Sequence, residues 1–164
     1  MNKTGVIYGI NGPVVYLKGN TGFKMSEMVY VGKERLVGEV IALTKDTTTV
    51  QVFEETTGLK PGETVTASGD ALSVTLGPGI LNNIFDGIER PLSEIAKQSG
   101  KYISRGLTVD SLDTEKKWDV HVTVSEGEEL MGGAIIAETQ ETRSIVHKSM
   151  VPPDVNGTVI WAAK

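Results

Sequence analysis

Between Thr4 and Leu76 the apolar runs are short, and turn residues close them. "TGVIYGI" ends at Asn11-Gly12-Pro13 and "VVYLK" follows; "EMVYVG" and "RLVGEVIALTKD" come next. Asn-Gly is a hairpin signal because both residues accept positive φ. "TTTVQVFEE" sets Val50 and Val52 against Thr49, Gln51 and Phe53, the period of two that marks a half-buried strand. Pro61-Gly62 supplies another turn, and "ALSVTLG" reads as the last strand of the series. Closely spaced short strands are expected to close into a small barrel, because closure removes exposed edges. The 19 glycines among 164 residues suit a turn-rich β protein.

Residues 77–100 change character. Gly77-Pro78-Gly79 breaks the strand pattern. Ile80, Ile84 and Ile88 then recur every fourth residue, with Leu81 and Phe85 beside them, which predicts a short helix that Gly87 cuts off. Pro91 can open a second helix. That helix has Leu92, Ile95 and Ala96 on one side and Gly100 as its stop.

Residues 101–164 return to β patterning. "WDVHVTV" places Trp118, Val120, Val122 and Val124 on one face and Asp119, His121 and Thr123 on the other. "SEGEELMGGAIIAET" reads as strand, turn, strand, and "SIVHKSMVPPDVNGTVIWA" carries a further turn at Asn156-Gly157. The expected organisation is mainly β: a barrel over 1–76, a helical connector over 77–109, and a second, smaller β module over 110–164.

The bulk numbers narrow the partners. Net charge is −5 with both signs mixed, whereas phosphate binding wants a basic face, so nucleic acid is not an expected partner. There is no cysteine, hence no disulfide, thiolate nucleophile or cysteine-bound zinc. "MNKTGVIYGING" has no long apolar core, so no signal peptide is expected. No apolar run approaches the roughly 20 residues that span a bilayer.

No catalytic constellation is visible. A phosphate loop would need Gly-x-x-x-x-Gly-Lys-[Ser/Thr]; Gly32-Lys33 is followed by Glu34, and Glu27 stands at the first glycine position. Gly77-Pro78-Gly79 meets Asn82 where a dinucleotide loop needs its third glycine. His121 and His147 each sit on the polar side of a strand pattern and read as exposed strand residues, not metal ligands. Glu126, Glu128 and Glu129 read as a solvated turn beside Gly127, and Asp110, Asp113, Glu115, Lys116 and Lys117 as a mixed-charge surface loop. Catalytic, cofactor-binding and metal-binding residues are therefore expected to number none.

"VSEGEELMGGAIIAE" and "MVPPDVNGTVI" resemble the two halves of a barrel-sandwich hybrid, the fold of biotinyl and lipoyl carrier domains. Such carriers bear a modified lysine at the hairpin tip. Here the tip is "TQETR", Thr139 to Arg143, and Lys148 lies beyond it within the following strand pattern. The likeness is one of architecture; a stand-alone binding or carrier module is the alternative reading.

Seven strings together resemble the catalytic A subunit of A-type and V-type rotary ATPases. They are "GPVV", "LVGEVI", "VQVFEETTGLKPGE", "LGPGILNNIFDGIERPL", "YISRG", "LDTEKKW" and "VPPDVNGTV". The resemblance implies that residues 1–76 are the N-terminal barrel, which in the family joins neighbouring barrels in a hexameric ring of alternating A and B subunits. It implies that residues from about 110 are the inserted bulge, or non-homologous region, near the peripheral stalk. The complete family protein hydrolyses or makes ATP, with magnesium, and drives proton or sodium movement. The family's phosphate loop lies beyond Lys164, so this stretch is expected to serve assembly and to be inactive alone, as a truncated or separately encoded piece. The implied location is cytoplasmic, at the membrane only through the complex.

Overall fold

The computed structural model describes residues 3–19 and 21–163. The chain gathers into two compact units: one runs to Val74 and takes up Phe85–Val109, the other holds Thr75–Ile84 and runs on from Asp110. The stretch 77–109 thus contributes to both units.

The first unit is the closed barrel. Its strands are β1 Thr4–Asn11, β2 Val14–Lys18, β3 Glu27–Val31, β4 Leu36–Leu43, β5 Thr47–Val52 and β6 Thr64–Ala71, paired in the ring order β1-β2-β5-β4-β3-β6. Alternation decides what lies inside. Ile7, Val15, Leu17, Val29, Val31, Leu36, Val40, Val50 and Val65 are each at most 1% exposed, while their strand neighbours point outward. Burying such a side chain is worth about 1.5–3 kcal/mol, and β-branched valines suit the pleated wall. Gly38 lets β4 approach β5: a Cβ there would stand 2.7 Å from the Gln51 carbonyl oxygen. One carboxylate, Glu27, is buried with the core, and it accepts the Lys24 N–H at 2.6 Å.

The strands fall where the pattern puts them, with one shift. The sixth strand is Thr64–Ala71, not "ALSVTLG". Val65 and Ala67 alternate inward and pair β6 with both β1 and β3, so the barrel is complete before Leu72. Leu72, Val74 and Leu76 then leave it exposed. At the first hairpin only Gly12 has positive φ, 57°, while Asn11 stays within β1.

The helix expected around Ile80, Ile84 and Ile88 does not form. Gly79, Asn82 and Glu89 take φ of 103°, 66° and 63°, three left-handed positions that no helix accommodates. The second helix does form: α1 spans Leu92–Ser99 between Pro91 and Gly100. It buries Ile95, at 3% exposure, while Leu92 and Ala96 face outward.

The second unit is a small β assembly. Strands β7 Val120–Val122, β9 Ile135–Gln140 and β10 Val146–Met150 form a sheet in the order β10-β9-β7. β8 Glu129–Leu130 pairs with β11 Gly157–Thr158. Gly132 and Gly133 make the turn before β9, and Asn156 holds it by accepting the Gly132 N–H at 3.2 Å. Asn156-Gly157 is not itself a turn; the chain turns at Pro153-Asp154 and Gly157 begins β11. Residues 77–81 are fixed to this unit by Glu141, whose Oε1 accepts the N–H groups of Gly79 at 2.8 Å and Leu81 at 3.1 Å.

Candidate functional site

The densest polar cluster in the first unit joins the strap Phe85–Val109 to the barrel. It begins with a turn. Asp86 Oδ1 accepts the N–H groups of Ile88 at 3.1 Å and Arg90 at 2.9 Å, and Glu89 N–H donates to the Asp86 carbonyl. This local bonding outcompetes helix, as Asp commonly does at turns. It brings Phe85 and Pro91 into an antiparallel bridge and turns the Arg90 side chain inward.

Arg90 then joins three elements. Its Nε donates to Asp86 Oδ2 at 2.8 Å, its Nη1 donates to the Leu107 carbonyl at 3.0 Å, and Nη1 stands 3.6 Å from Glu54 Oε2. The same Glu54 oxygen accepts the Gly106 N–H at 2.9 Å. Burial alone would raise the Asp86 carboxyl. The N–H donors of Arg90 and Ile88 and the guanidinium outweigh it and hold the pKa below the usual carboxylate value.

A second arginine repeats the device at the surface. Arg105 pairs with Glu34 at 2.7 Å and donates to the carbonyls of Glu55 and Thr57. Gly106 follows at φ 65°, where a Cβ would overlap the Glu34 carbonyl oxygen. The strap is thus tied to the β3–β4 turn and to the loop after β5. This arrangement fixes a chain direction. It presents no nucleophile–base pair.

The residues considered from sequence fall elsewhere. Gly32-Lys33-Glu34 is the β3–β4 turn, with Glu34 engaged by Arg105. His121 is exposed on β7 opposite Glu138; His147 is half-buried on β10 opposite Thr139, on the more buried face and not the polar one. Glu128 accepts the Ser125 N–H at 3.0 Å and closes a turn, as Asp113 does with the N–H groups of Glu115 and Lys116. Lys116 Nζ lies 3.9 Å over the Trp118 ring. The β9–β10 tip is closed by Thr142, and Lys148 sits within β10, 3.8 Å from Glu138. Among the described residues no three His, Asp or Glu side chains gather as metal ligands would. No described helix is long and apolar enough to cross a membrane.

Sequence patterning does not single out Glu54, Asp86, Arg90, Arg105 or Gly106. The usable signal is Asp86-Gly87 between apolar residues, a turn dipeptide that the Ile80–Ile84–Ile88 spacing obscures.

A closed barrel followed by a second, smaller β unit of two short sheets defines a class. Residues 7–69 match the beta-barrel domain model of the ATP synthase alpha/beta family, and residues 109–164 match the barrel-sandwich domain model of the ATP synthase alpha/beta subunits. The V-type ATP synthase alpha chain of Halothermothrix orenii is 51% identical over 98% of this chain and 27% of its own length. The A subunit of the A-type ATP synthase of Methanopyrus kandleri is 52% identical over 97% of this chain and 27% of its own. That of Methanosphaera stadtmanae is 51% identical over 95% and 27%. The chain belongs to the ATP synthase alpha/beta family and matches the N-terminal portion of the A subunit. It spans about a quarter of the length of these relatives.

Proposed function

We propose that this chain is the non-catalytic N-terminal part of the A subunit of an A/V-type ATP synthase. The barrel joins neighbouring barrels of A and B subunits in a ring, and the second unit faces the peripheral stalk. ATP hydrolysis or synthesis coupled to proton or sodium movement, and the ATP and magnesium it needs, belong to the rest of the subunit. The head so assembled is cytoplasmic and meets the membrane through the complex.

One observation carries the reading: relatives named as A subunits or alpha chains match across 95–98% of the chain, through both units in order. The clasp formed by Arg90 and Arg105, which ties the strap to the barrel, supports it. A ring subunit must hold its barrel at a set angle to the chain that follows, and two arginines fix the strap to the barrel's loops. No catalytic, cofactor or metal residue is assigned within the chain.

The test is capture. The chain is co-expressed with a B subunit of the family and isolated through a tag on the latter. Stoichiometric co-purification is expected, and its failure at physiological salt would remove the assembly role. Saturable ATP hydrolysis by the purified chain would overturn the non-catalytic assignment.

A further inference from the structure

The chain's two Asn-Gly dipeptides carry the same chemistry in unlike settings. In such a pair the glycine nitrogen can attack the asparagine Cγ, because glycine has no Cβ to shield it and its backbone turns freely. The reaction needs a side-chain amide free to rotate and a backbone N–H that nothing else holds.

Asn11-Gly12 meets both needs. Asn11 is the exposed last residue of β1, opposite Val14, and Gly12 and Pro13 form the two-residue tip of the hairpin. Gly12 stands at φ 57° with open space where a Cβ would lie. Among the described residues neither the Asn11 amide nor the Gly12 N–H has a hydrogen-bond partner. Asn156-Gly157 meets neither need. Asn156 Oδ1 accepts the Gly132 N–H at 3.2 Å, and Gly157 is paired with Leu130 in the β8–β11 ladder. Both ties must open before the ring can close. At about 1 kcal/mol for each net hydrogen bond, two ties slow the closure about thirtyfold.

We infer that Asn11 is a site of spontaneous deamidation and backbone isomerisation. Gly12 N loses its proton to hydroxide and bonds to Asn11 Cγ. The bond from Cγ to the amide nitrogen breaks, and that nitrogen leaves as ammonia after taking a proton from water. Water then opens the cyclic imide at either carbonyl. Opening at Cγ gives aspartate; opening at the backbone carbonyl leaves the chain running through Cγ, as isoaspartate. One ammonia is lost and one water gained, nothing is oxidised or reduced, and the residue gains one negative charge.

The site is joined to the clasp. The Gly12 carbonyl accepts the Thr56 hydroxyl at 2.6 Å, and Arg105 donates to the carbonyls of Glu55 and Thr57 on either side of it. Isoaspartate lengthens the main chain by one carbon just before Gly12. That moves the Gly12 carbonyl off Thr56 and loosens the loop that Arg105 holds. The inference goes beyond the assembly reading and holds whatever the subunit joins.

The purified chain is incubated at mildly alkaline pH, below its unfolding temperature, and mapped by peptide mass with isoaspartate standards. Asn11 is expected to convert about thirtyfold faster than Asn156, with isoaspartate the major product and no conversion at position 11 in Asn11→Gln. Equal conversion of the two asparagines, faster conversion at Asn156, or an Asn11 that stays an amide overturns the assignment. The isoaspartate form, isolated by chromatography, is then compared with Asn11→Asp, which has the same charge on a normal backbone. Its unfolding equilibrium constant is expected to be about fivefold larger, the loss of one hydrogen bond. Equal stability of the two sinks the link to Thr56.

Discussion

Glu54 and Arg90 stand 3.6 Å apart with side chains only 9% and 10% exposed, and between them they join the barrel to the strap. Their attraction acts away from water, where removing one partner leaves the other charge uncompensated. Arg90→Met is therefore expected to destabilise the first unit by about 3–5 kcal/mol, seen as a lower urea midpoint. Arg90→Lys should recover little, because an ammonium cannot reach Asp86, Leu107 and Glu54 from one planar fork. Full stability in Arg90→Lys would contradict the role given to that geometry.

Asp86 makes the clasp sensitive to acid. Its carboxyl titrates lower in the folded chain than in the unfolded one, so the unfolded state binds more protons on acidification. The stability it contributes is present above the unfolded carboxylate pKa of about 3.9 and is lost as pH falls through the depressed folded value. Unfolding curves from pH 6 down to about pH 2, spanning the carboxylate range, should show this loss in the parent chain. Asp86→Asn should be less stable at neutral pH and show a shallower decline. An identical acid slope in the two chains would remove Asp86 from the account.

How much of this is legible in the sequence depends on the range of the deciding interactions. The Val50–Val52 alternation declares its inward face locally, and so do the strands whose valines fill the barrel. The stretch Ile80–Ile88 misleads because its spacing is helical while its backbone is not. Asp86 captures two N–H groups, and Gly79, Asn82 and Glu89 take left-handed φ. The clasp is hidden for another reason: Arg105 meets Glu34 across 71 positions, and Gly106 meets Glu54 across 52. Separation of that kind leaves no local period. "ALSVTLG" carries a strand pattern, yet β6 has already closed the ring.

The glycines give two separable tests. Gly106→Ala combines a left-handed φ of 65° with overlap on the Glu34 carbonyl. In the second unit the two effects fall on neighbours. Gly132 has no positive φ, but its Cβ would overlap the Pro153 carbonyl; Gly133 has open space and φ 86°. Gly133→Ala should cost about 1–2 kcal/mol from backbone strain alone. Gly132→Ala should cost more, since two backbones must separate, and should disturb the Asn156 bond to Gly132 N–H. Amide chemical shifts at 132 and 157 are the readout, and equal, small effects from both substitutions would refute the distinction.

Burial differs between the units in a way that orders their unfolding. Every buried hydrophobic side chain of the described core belongs to the first unit. In the second, Met131, Val155, Ile160 and Trp161 are at least half exposed. Opening free energies follow the apolar area held from water. Amide exchange should therefore be fastest in Val120–Thr158 and slowest in β2, β3 and β5. Glu141→Ala removes the acceptor for Gly79 and Leu81 N–H and should speed exchange at those two amides while leaving Val29 and Val50 protected. Cooperative loss of protection in both units at one denaturant concentration would mean that the second unit draws its stability from the first.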